Sequence, residues 1–419
     1  MTQSSDAALA INGGEKAAAS LEIPSWPQLT SGARENLTAC LESTHWCKQY
    51  EEATYVETFE DAFATYHDAE HAIGVTNGTT AIQVALRAVG IRPGDEVLVT
   101  PYTWVSTAMA IVLEGGIPRF VDVDPTTYNI DPDAIRAAVT EDTAGIIGVH
   151  VGGYPMDLDE LVPIYRDHNL FFIEDCAHAQ GTEWRGRKVG TFGHVGTFSF
   201  QQSKSLTAGE GGAIITNDDR IAEMGRTVHW MGRDPGGKLG HIRNASNHRM
   251  SEFLGAVLLG QLDELDDQNA RRQANEAILR EELEAIDGIE MKPRDDRITN
   301  RGYFCVNVKY DREAFAGIDR RTFVNALQAE GVPVNLGVHG GEPLYRQPSF
   351  TREQLSAHLS DVSDLPNYGT MHLPGVEELS RRNVTFTHQT LLADAAGIRS
   401  IGDAIRKIQE RAEELREAE

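Results

Sequence analysis

The sequence of residues 195–212 is VGTFSFQQSKSLTAGEGG, and it places one lysine between a strand and a glycine-rich turn. Residues 195–200 favour a β-strand, residues 201–203 form a polar turn, and Lys204 follows, in a chain that has only eight lysines. A lysine that is partly desolvated at the end of a strand has a lowered pKa and can act as an amine nucleophile. Taken alone, the stretch is equally compatible with a lysine that pairs with a nearby carboxylate.

A second stretch, LFFIEDCAHAQG at residues 170–181, ends an apolar strand at a carboxylate. Asp175 comes at the carboxyl end of this strand, and His178 follows three residues later. Ligands of open α/β sheets bind at the carboxyl ends of the strands. A strand-end lysine and a strand-end aspartate are the protein groups that a pyridoxal phosphate site needs, for the Schiff base and for the protonated pyridine nitrogen. We therefore predict that Lys204 and Asp175 are the catalytic residues of such a site.

These two motifs, EDCAHAQG and GTFSFQQSKSLTAGEGG, resemble those of the DegT/DnrJ/EryC1/StrS family of sugar and cyclitol aminotransferases. The similarity extends from about Trp26 to about Leu392, which is nearly the whole chain. It implies the aspartate-aminotransferase fold, fold type I of the pyridoxal-phosphate-dependent enzymes. That fold has a seven-stranded, mostly parallel sheet in a large domain and a smaller α+β C-terminal domain. The resemblance also implies a homodimer with shared active sites.

The pattern between residues 71 and 217 independently favours the α/β class. Seven strand-like runs occur there, at His71–Thr76, Glu96–Thr100, Pro118–Val123, Gly145–Val151, Leu170–Cys176, Val195–Phe200 and Ala213–Asn217. Helical segments separate most of them, which indicates a largely parallel sheet covered on both faces. The last two runs follow each other without a helix, so one antiparallel pairing is expected between them. We predict a loosely held N-terminal arm at 1–25, a large cofactor-binding domain at 26–265 and a small C-terminal domain at 266–419.

The composition is that of a globular protein with a strong acidic excess. The chain is 41% hydrophobic and 24% charged, and its formal net charge is −25. This charge argues against nucleic-acid binding, which requires clustered cations. The apolar runs are only strand-length, so we expect no membrane span. No secretory signal is evident and the four cysteines lack metal-ligand spacing, so we expect a cytoplasmic protein with free thiols.

The resemblance assigns further residues to the cofactor. Gly78, Thr79 and Thr80 lie in the turn NGTTA, which follows a strand and opens a helix whose free amides can hold a phosphate. Ser199 matches the family's phosphate-binding serine, and Trp104 matches the aromatic residue that stacks on the cofactor ring.

Two further positions follow from the same resemblance. His178 lies where the family has a histidine or glutamine near the ring hydroxyl. Asn247 matches the asparagine that reaches the phosphate of the neighbouring subunit; His248 stands beside it where tyrosine is usual. Two segments, 339–341 and 387–389, resemble substrate-side loops of the family.

The residues around Lys204 indicate which class of amino acceptor the chain uses. Members that act on nucleotide-linked sugars more often have S-F-x-x-x-K-N-L and then G-D-G-G. Here the motif is FQQSKSL and then AGEGG, which is closer to aminotransferases that act on keto cyclitols such as scyllo-inosose or 2-deoxy-scyllo-inosose. We therefore predict a keto-cyclitol acceptor and an amino-acid donor, glutamine or glutamate.

Several other activities remain open from the sequence. A nucleotide-linked keto sugar is the alternative acceptor, and a lyase similar to aminohydroxybenzoate synthase would use the same lysine. Family dehydratases carry histidine in place of this lysine, so Lys204 argues against that branch. A non-catalytic regulator is disfavoured by the acidity and by the lack of a recognisable DNA-binding segment.

Overall fold

The computed structural model describes residues 8–48, 52–234, 236–237, 239–359 and 365–416. The strands in these residues are β1 His71–Val75, β2 Glu96–Val99, β3 Ile117–Phe120, β4 Thr143–Val149, β5 Phe171–Asp175, β6 Glu183–Trp184, β7 Arg187–Lys188, β8 Val195–Ser199, β9 Gly212–Thr216, β10 Ile289–Met291, β11 Ile298–Asn300, β12 Cys305–Tyr310, β13 Val334–Asn335 and β14 Asn383–Thr387. The α-helices are α1 Ser31–Ser43, α2 Tyr55–Tyr66, α3 Gly78–Val89, α4 Ser106–Leu113, α5 Pro132–Ala138, α6 Leu158–Asp167, α7 Asp219–His229, α8 Glu252–Leu262, α9 Leu265–Glu284, α10 Arg320–Ala329, α11 Arg352–Leu355, α12 Pro374–Arg382, α13 Ala395–Glu410 and α14 Ala412–Arg416.

The large sheet has seven strands in the order β1-β9-β8-β5-β4-β2-β3. Only β9 runs against its neighbours: it pairs antiparallel with both β1 and β8, and the remaining pairs are parallel. The seven predicted strands and the predicted antiparallel pair are thereby confirmed. Strands β2, β4, β5, β8 and β9 are almost wholly buried, because helices cover both faces of the sheet.

The junction between β1 and α3 is fixed by a reciprocal cap. The Asn77 side chain accepts a hydrogen bond from the Thr80 amide at 2.9 Å, and the Thr80 hydroxyl accepts one from the Asn77 amide at 3.1 Å. This pairing satisfies amides that a helix start leaves without partners. Helix α3 therefore begins directly at the carboxyl edge of the large sheet.

The smaller sheet lies in the C-terminal part of the chain, with its four antiparallel strands in the order β10-β12-β14-β13. Helix α9 connects the two parts: Leu265 packs in a core cluster with the large sheet, whereas Leu279 and Leu283 pack in the cluster of the small sheet. Helix α9 follows α8 directly, with only Asp263 and Glu264 between them.

The start of the described chain is docked on the small sheet's cluster. Leu9 and Ala18 are buried in that cluster, and the amides of Ala10 and Ala17 each donate a hydrogen bond to the Glu330 carboxylate at 2.8 Å. The expectation of a loosely held arm is therefore wrong from residue 8 onward. The small polar composition of this segment gives no sign that Ala10 and Ala17 bond to a residue more than 300 positions away.

Residues 344–359 and 365–379 cover the large sheet, although they fall in the predicted small domain. Leu344, Tyr368 and Leu379 share a core cluster with Phe120 of β3, and the Tyr368 hydroxyl donates to the Pro118 carbonyl at 2.6 Å. The predicted boundary at residues 265 and 266 remains a prediction. No helix in the described residues is both long and apolar enough to span a membrane.

Candidate active site

A cavity of about 840 Å³ lies between the carboxyl edge of the large sheet and the small sheet. Its lining contains eight of the nine residues that the sequence predicts for the site, namely Gly78, Thr79, Thr80, Trp104, Asp175, His178, Ser199 and Lys204. These residues come from four segments of the large domain that are far apart in the sequence. The fold thus brings the predicted lysine, the predicted carboxylate and the predicted phosphate-binding turn to one place.

Lys204 lies on a short loop whose backbone carbonyls bond to side chains that are distant in the sequence. The indole nitrogen of Trp26 donates to the Gln202 carbonyl at 3.0 Å, and His388 Nε2 lies 3.0 Å from the Ser203 carbonyl oxygen. The lysine side chain is reachable from the cavity and otherwise surrounded by protein. Desolvation lowers the pKa of its amine to about 8, although Asp175 acts in the opposite direction. The amine is therefore partly neutral near physiological pH.

Asp175 is buried at the end of β5 and accepts two hydrogen bonds. Thr107 Oγ1 donates to its Oδ2 at 2.9 Å, and the Ala177 amide donates to its Oδ1 at 3.1 Å. Burial raises the pKa of the carboxyl, while the hydrogen bonds and the charge of Lys204 oppose the rise. A carboxylate that is incompletely compensated in this way fits a positively charged ring nitrogen as its partner.

The start of α3 and the end of β8 form a close backbone contact. A Cβ atom on Gly78 would lie 2.6 Å from Ser199 Cβ, so a side chain at residue 78 would overlap it. The Thr79 hydroxyl donates to Ser106 Oγ at 2.8 Å, and the Thr80 hydroxyl is used in the cap of the helix. A helix start with a serine beside it is a favourable site for an anion, because its amides point outward.

His178 lies flat against Phe304, a residue that the sequence pattern does not single out. The two rings are stacked, with centroids 4.0 Å apart and planes at 7°, and Lys204 Nζ lies 4.2 Å from the centroid of the Phe304 ring. The Gly152 amide donates to His178 Nδ1 at 3.4 Å. Burial, with Lys204 and Lys292 nearby, holds the pKa of His178 well below its usual value. This imidazole is therefore neutral, with its proton on Nε2.

Trp104 is at the mouth of the cavity and is not a core residue. Its side chain is 57% exposed and stacks on His339, with ring centroids 5.1 Å apart and planes at 16°. Asn247 lies outside the cavity lining of its own chain, and its side chain accepts from the Arg249 amide at 3.2 Å. Its predicted role in the site of a second subunit remains a prediction.

The small sheet supplies the opposite wall, which sequence reasoning largely missed. Side chains of this wall are Cys305 and Asn307 on β12, Asn335 on β13, and Thr385 and Thr387 on β14. Alternation along three short strands places them on one face. That alternation is visible in the sequence, but the pairing of strands that are 50 to 80 residues apart is not.

The family model for the DegT/DnrJ/EryC1/StrS aminotransferases matches residues 27–391. The chain belongs to this family. The L-glutamine:2-deoxy-scyllo-inosose aminotransferase of Micromonospora echinospora is 36% identical over 97% of this chain and 99% of its own length. The L-glutamine:scyllo-inosose aminotransferase of Streptomyces griseus is 36% identical over 98% of this chain and 99% of its own length.

Among solved structures, the crystal structure of 3-amino-5-hydroxybenzoic acid synthase superposes with a TM-score of 0.84. It is 33% identical and covers 94% of this chain and 100% of its own chain. Family and structure together confirm the predicted fold type I architecture and the predicted aminotransferase class.

Proposed function

We propose that the chain is a pyridoxal-phosphate-dependent aminotransferase that moves the amino group of glutamine onto a keto cyclitol such as scyllo-inosose or 2-deoxy-scyllo-inosose. One observation carries the proposal: Lys204 and Asp175 meet in a cavity with a neutral polar wall. Among the described residues, the lining contains no arginine and no lysine other than Lys204.

The residues present fit the cofactor. Lys204 would hold its aldehyde carbon, Asp175 would face its ring nitrogen, and the amides of Gly78 and Thr79 with Ser199 would hold its phosphate. When bound, pyridoxal phosphate supplies a carbonyl for amine exchange and a ring that accepts the electron pair of the substrate's α-carbon. Because a Cβ at residue 78 would overlap Ser199, the glycine lets the helix start approach the serine that would share the phosphate.

Lys204 would also carry the proton. Its amine has a pKa of about 8, so near neutral pH it can take a proton from the donor's α-carbon and release it again. Asp175 would supply the negative charge that keeps the ring nitrogen protonated when the cofactor is bound. The neutral His178, stacked on Phe304, presents its Nε2–H as a hydrogen-bond donor without adding charge.

The neutral wall also favours one class of substrate. A nucleotide-linked sugar brings a diphosphate, which proteins hold with arginine, lysine or a metal ion. The cavity lining of the described chain has no such group apart from Lys204, whose amine the cofactor takes. The hydroxyl groups of a cyclitol require only neutral partners. The names of the two relatives support the same substrates.

The two halves of the reaction can be tested separately by absorbance. Glutamine added to the purified holoprotein should remove the visible band of the lysine-bound cofactor, and scyllo-inosose should then restore it. A matched acceptor series with a nucleotide-linked 4-keto sugar should leave the band absent. A band that responds to no amino donor would contradict the transferase and favour a lyase, as in aminohydroxybenzoate synthases. A band restored only by the nucleotide-linked sugar would contradict the acceptor.

The proposal includes a cytoplasmic homodimer in which Asn247 of one copy completes the site of the other. Lys204→Ala and Asn247→Ala proteins, each inactive alone, should regain about a quarter of wild-type activity when their subunits are exchanged, because mixed dimers hold one intact site. Mixtures that stay inactive after confirmed subunit exchange would refute the shared site.

A further inference from the structure

The small-sheet wall of the cavity has a defined hydrogen-bonding direction. Asn307 on β12 lies opposite Thr385 on β14, and Asn335 on β13 lies opposite the same threonine from the other side. All three side chains line the cavity. The centre of this wall is therefore a threonine between two asparagines.

A chain of hydrogen bonds fixes the orientation of Asn307. The buried amide of Asn383 donates to Thr385 Oγ1 at 2.9 Å, and Thr385 Oγ1 donates to Asn307 Oδ1 at 2.9 Å. The thiol of Cys305 also approaches Asn307 Oδ1, at 3.5 Å. Because the Thr385 hydroxyl already accepts from Asn383, its own proton is directed at Asn307. The carbonyl side of the Asn307 amide is thus occupied by two donors.

The nitrogen side of that amide has no partner in the described chain. Asn307 is only 4% exposed, but its Nδ2 keeps contact with solvent. The backbone of Gly152 lies beside this nitrogen, since a Cβ on the glycine would lie 3.5 Å from Asn307 Nδ2. An amide whose N–H groups face the cavity and bond to no protein group is available to a ligand.

We propose that Asn307 recognises a ring hydroxyl of the acceptor by donating from Nδ2 to the hydroxyl oxygen. Thr385 and Asn383 are positioning residues that hold the amide in this orientation. The inference rests on the proposed function and extends it, because it names a group that distinguishes an uncharged polyhydroxylated ketone from other ketones. The diphosphate of a nucleotide-linked acceptor would instead call for a cation on this wall, and its described side chains are neutral.

The experiment compares Asn307→Leu, Thr385→Val and Thr385→Ser with wild type in each half-reaction. Asn307→Leu should lower kcat/KM for scyllo-inosose roughly tenfold, as expected for one lost hydrogen bond and an uncompensated hydroxyl, with the loss mainly in KM. Thr385→Val should produce a smaller loss of the same kind. Thr385→Ser keeps the hydroxyl, so its KM should equal that of wild type. The glutamine half-reaction should be affected severalfold less than the acceptor half-reaction.

Monodeoxy analogues of scyllo-inosose identify the contact. For the analogue that lacks the recognised hydroxyl, wild type and Asn307→Leu should differ by less than about twofold, because no hydrogen bond remains to be lost. Equal losses for every analogue, or equal losses in both half-reactions, would overturn the inference. A wild-type enzyme that aminates none of these ketones would remove the proposed function and this inference with it. Active wild type with an unaffected Asn307→Leu variant would overturn the inference alone.

Discussion

Lys204 Nζ lies 4.2 Å from the centroid of the Phe304 ring, so the amine at the edge of the large sheet rests against an aromatic side chain beside the small sheet. The ring face attracts the charged form of the amine, whereas burial disfavours it. Burial lowers the pKa of Lys204 to about 8, although Asp175 and Cys305 act in the opposite direction. The Lys204 amine is therefore partly neutral, while the adjacent ring face favours its protonated form.

Lys204 should titrate far below an ordinary lysine. In the cofactor-free protein, labelling by a small amine-reactive reagent should rise with a midpoint near pH 8, compared with the ordinary lysine value of 10.5. Since the folded state binds this proton more weakly than the unfolded state, the contribution of this group to the free energy of unfolding should increase between these two pH values. Peptide mass spectrometry across a pH series checks the midpoint. A midpoint above pH 10 would refute the assignment.

Replacing Phe304 should move that midpoint further down. Phe304→Leu removes the ring face that favours the ammonium form, a contribution of about 0.5–2 kcal/mol, so the pKa of Lys204 should fall by roughly 0.4–1.5 units. The same labelling series measures it, and Phe253→Leu, outside the cavity lining, is the matched control. If the pKa of Lys204 rose instead, the ring would not be stabilising the charge.

Glu174, the neighbour of Asp175, should be essential for stability. Its buried carboxylate accepts four hydrogen bonds at 2.7–3.0 Å, from His150 Nε2 and from the amides of Gly190, Phe192 and Gly193. Glu174→Gln turns an N–H₂ group toward these donors and should cost about 3 kcal/mol in the free energy of unfolding. Urea unfolding measures the loss. The exposed Glu342→Gln should cost less than about 0.5 kcal/mol, and equal losses for both variants would contradict this role.

Gly78→Ala should weaken cofactor binding while the protein still folds. The new Cβ would overlap Ser199, and relieving such an overlap costs about 1–3 kcal/mol, which corresponds to roughly 5- to 150-fold in the dissociation constant. Titration of the cofactor-free protein with pyridoxal phosphate provides the measurement. Gly369→Ala is the control, since its Cβ would meet nothing closer than 3.6 Å. Wild-type affinity in the Gly78 variant would argue against a phosphate at this turn.

The large sheet could be predicted from the sequence because its strands are short apolar runs that helices bury on both faces. For Lys204 and Asp175 the same pattern was sufficient, since each follows one of these runs directly. Trp104 lies at the cavity mouth and not in the core, where periodicity alone would equally place it, and its predicted stacking on the cofactor ring remains a prediction.

Residues whose roles depend on distant contacts could not be predicted. Leu9 lies in a small polar stretch, and only its contact with the core of the small domain shows that the segment is docked. Phe304 and Asn307 belong to one short strand region, and nothing local indicates that it faces Lys204. His388 lies in a segment that resembles a substrate-side loop of the family. Its contact with the Ser203 carbonyl, which holds the lysine loop, is visible only in the folded structure.

The identity of the amine that holds the cofactor is the most direct test of this account. Borohydride reduction of the holoprotein fixes the cofactor to that amine, and peptide mass spectrometry then locates it. We predict the modification on Lys204. Modification of another lysine, such as the buried Lys292, would contradict the account. So would a holoprotein of full cofactor content in which no lysine is modified.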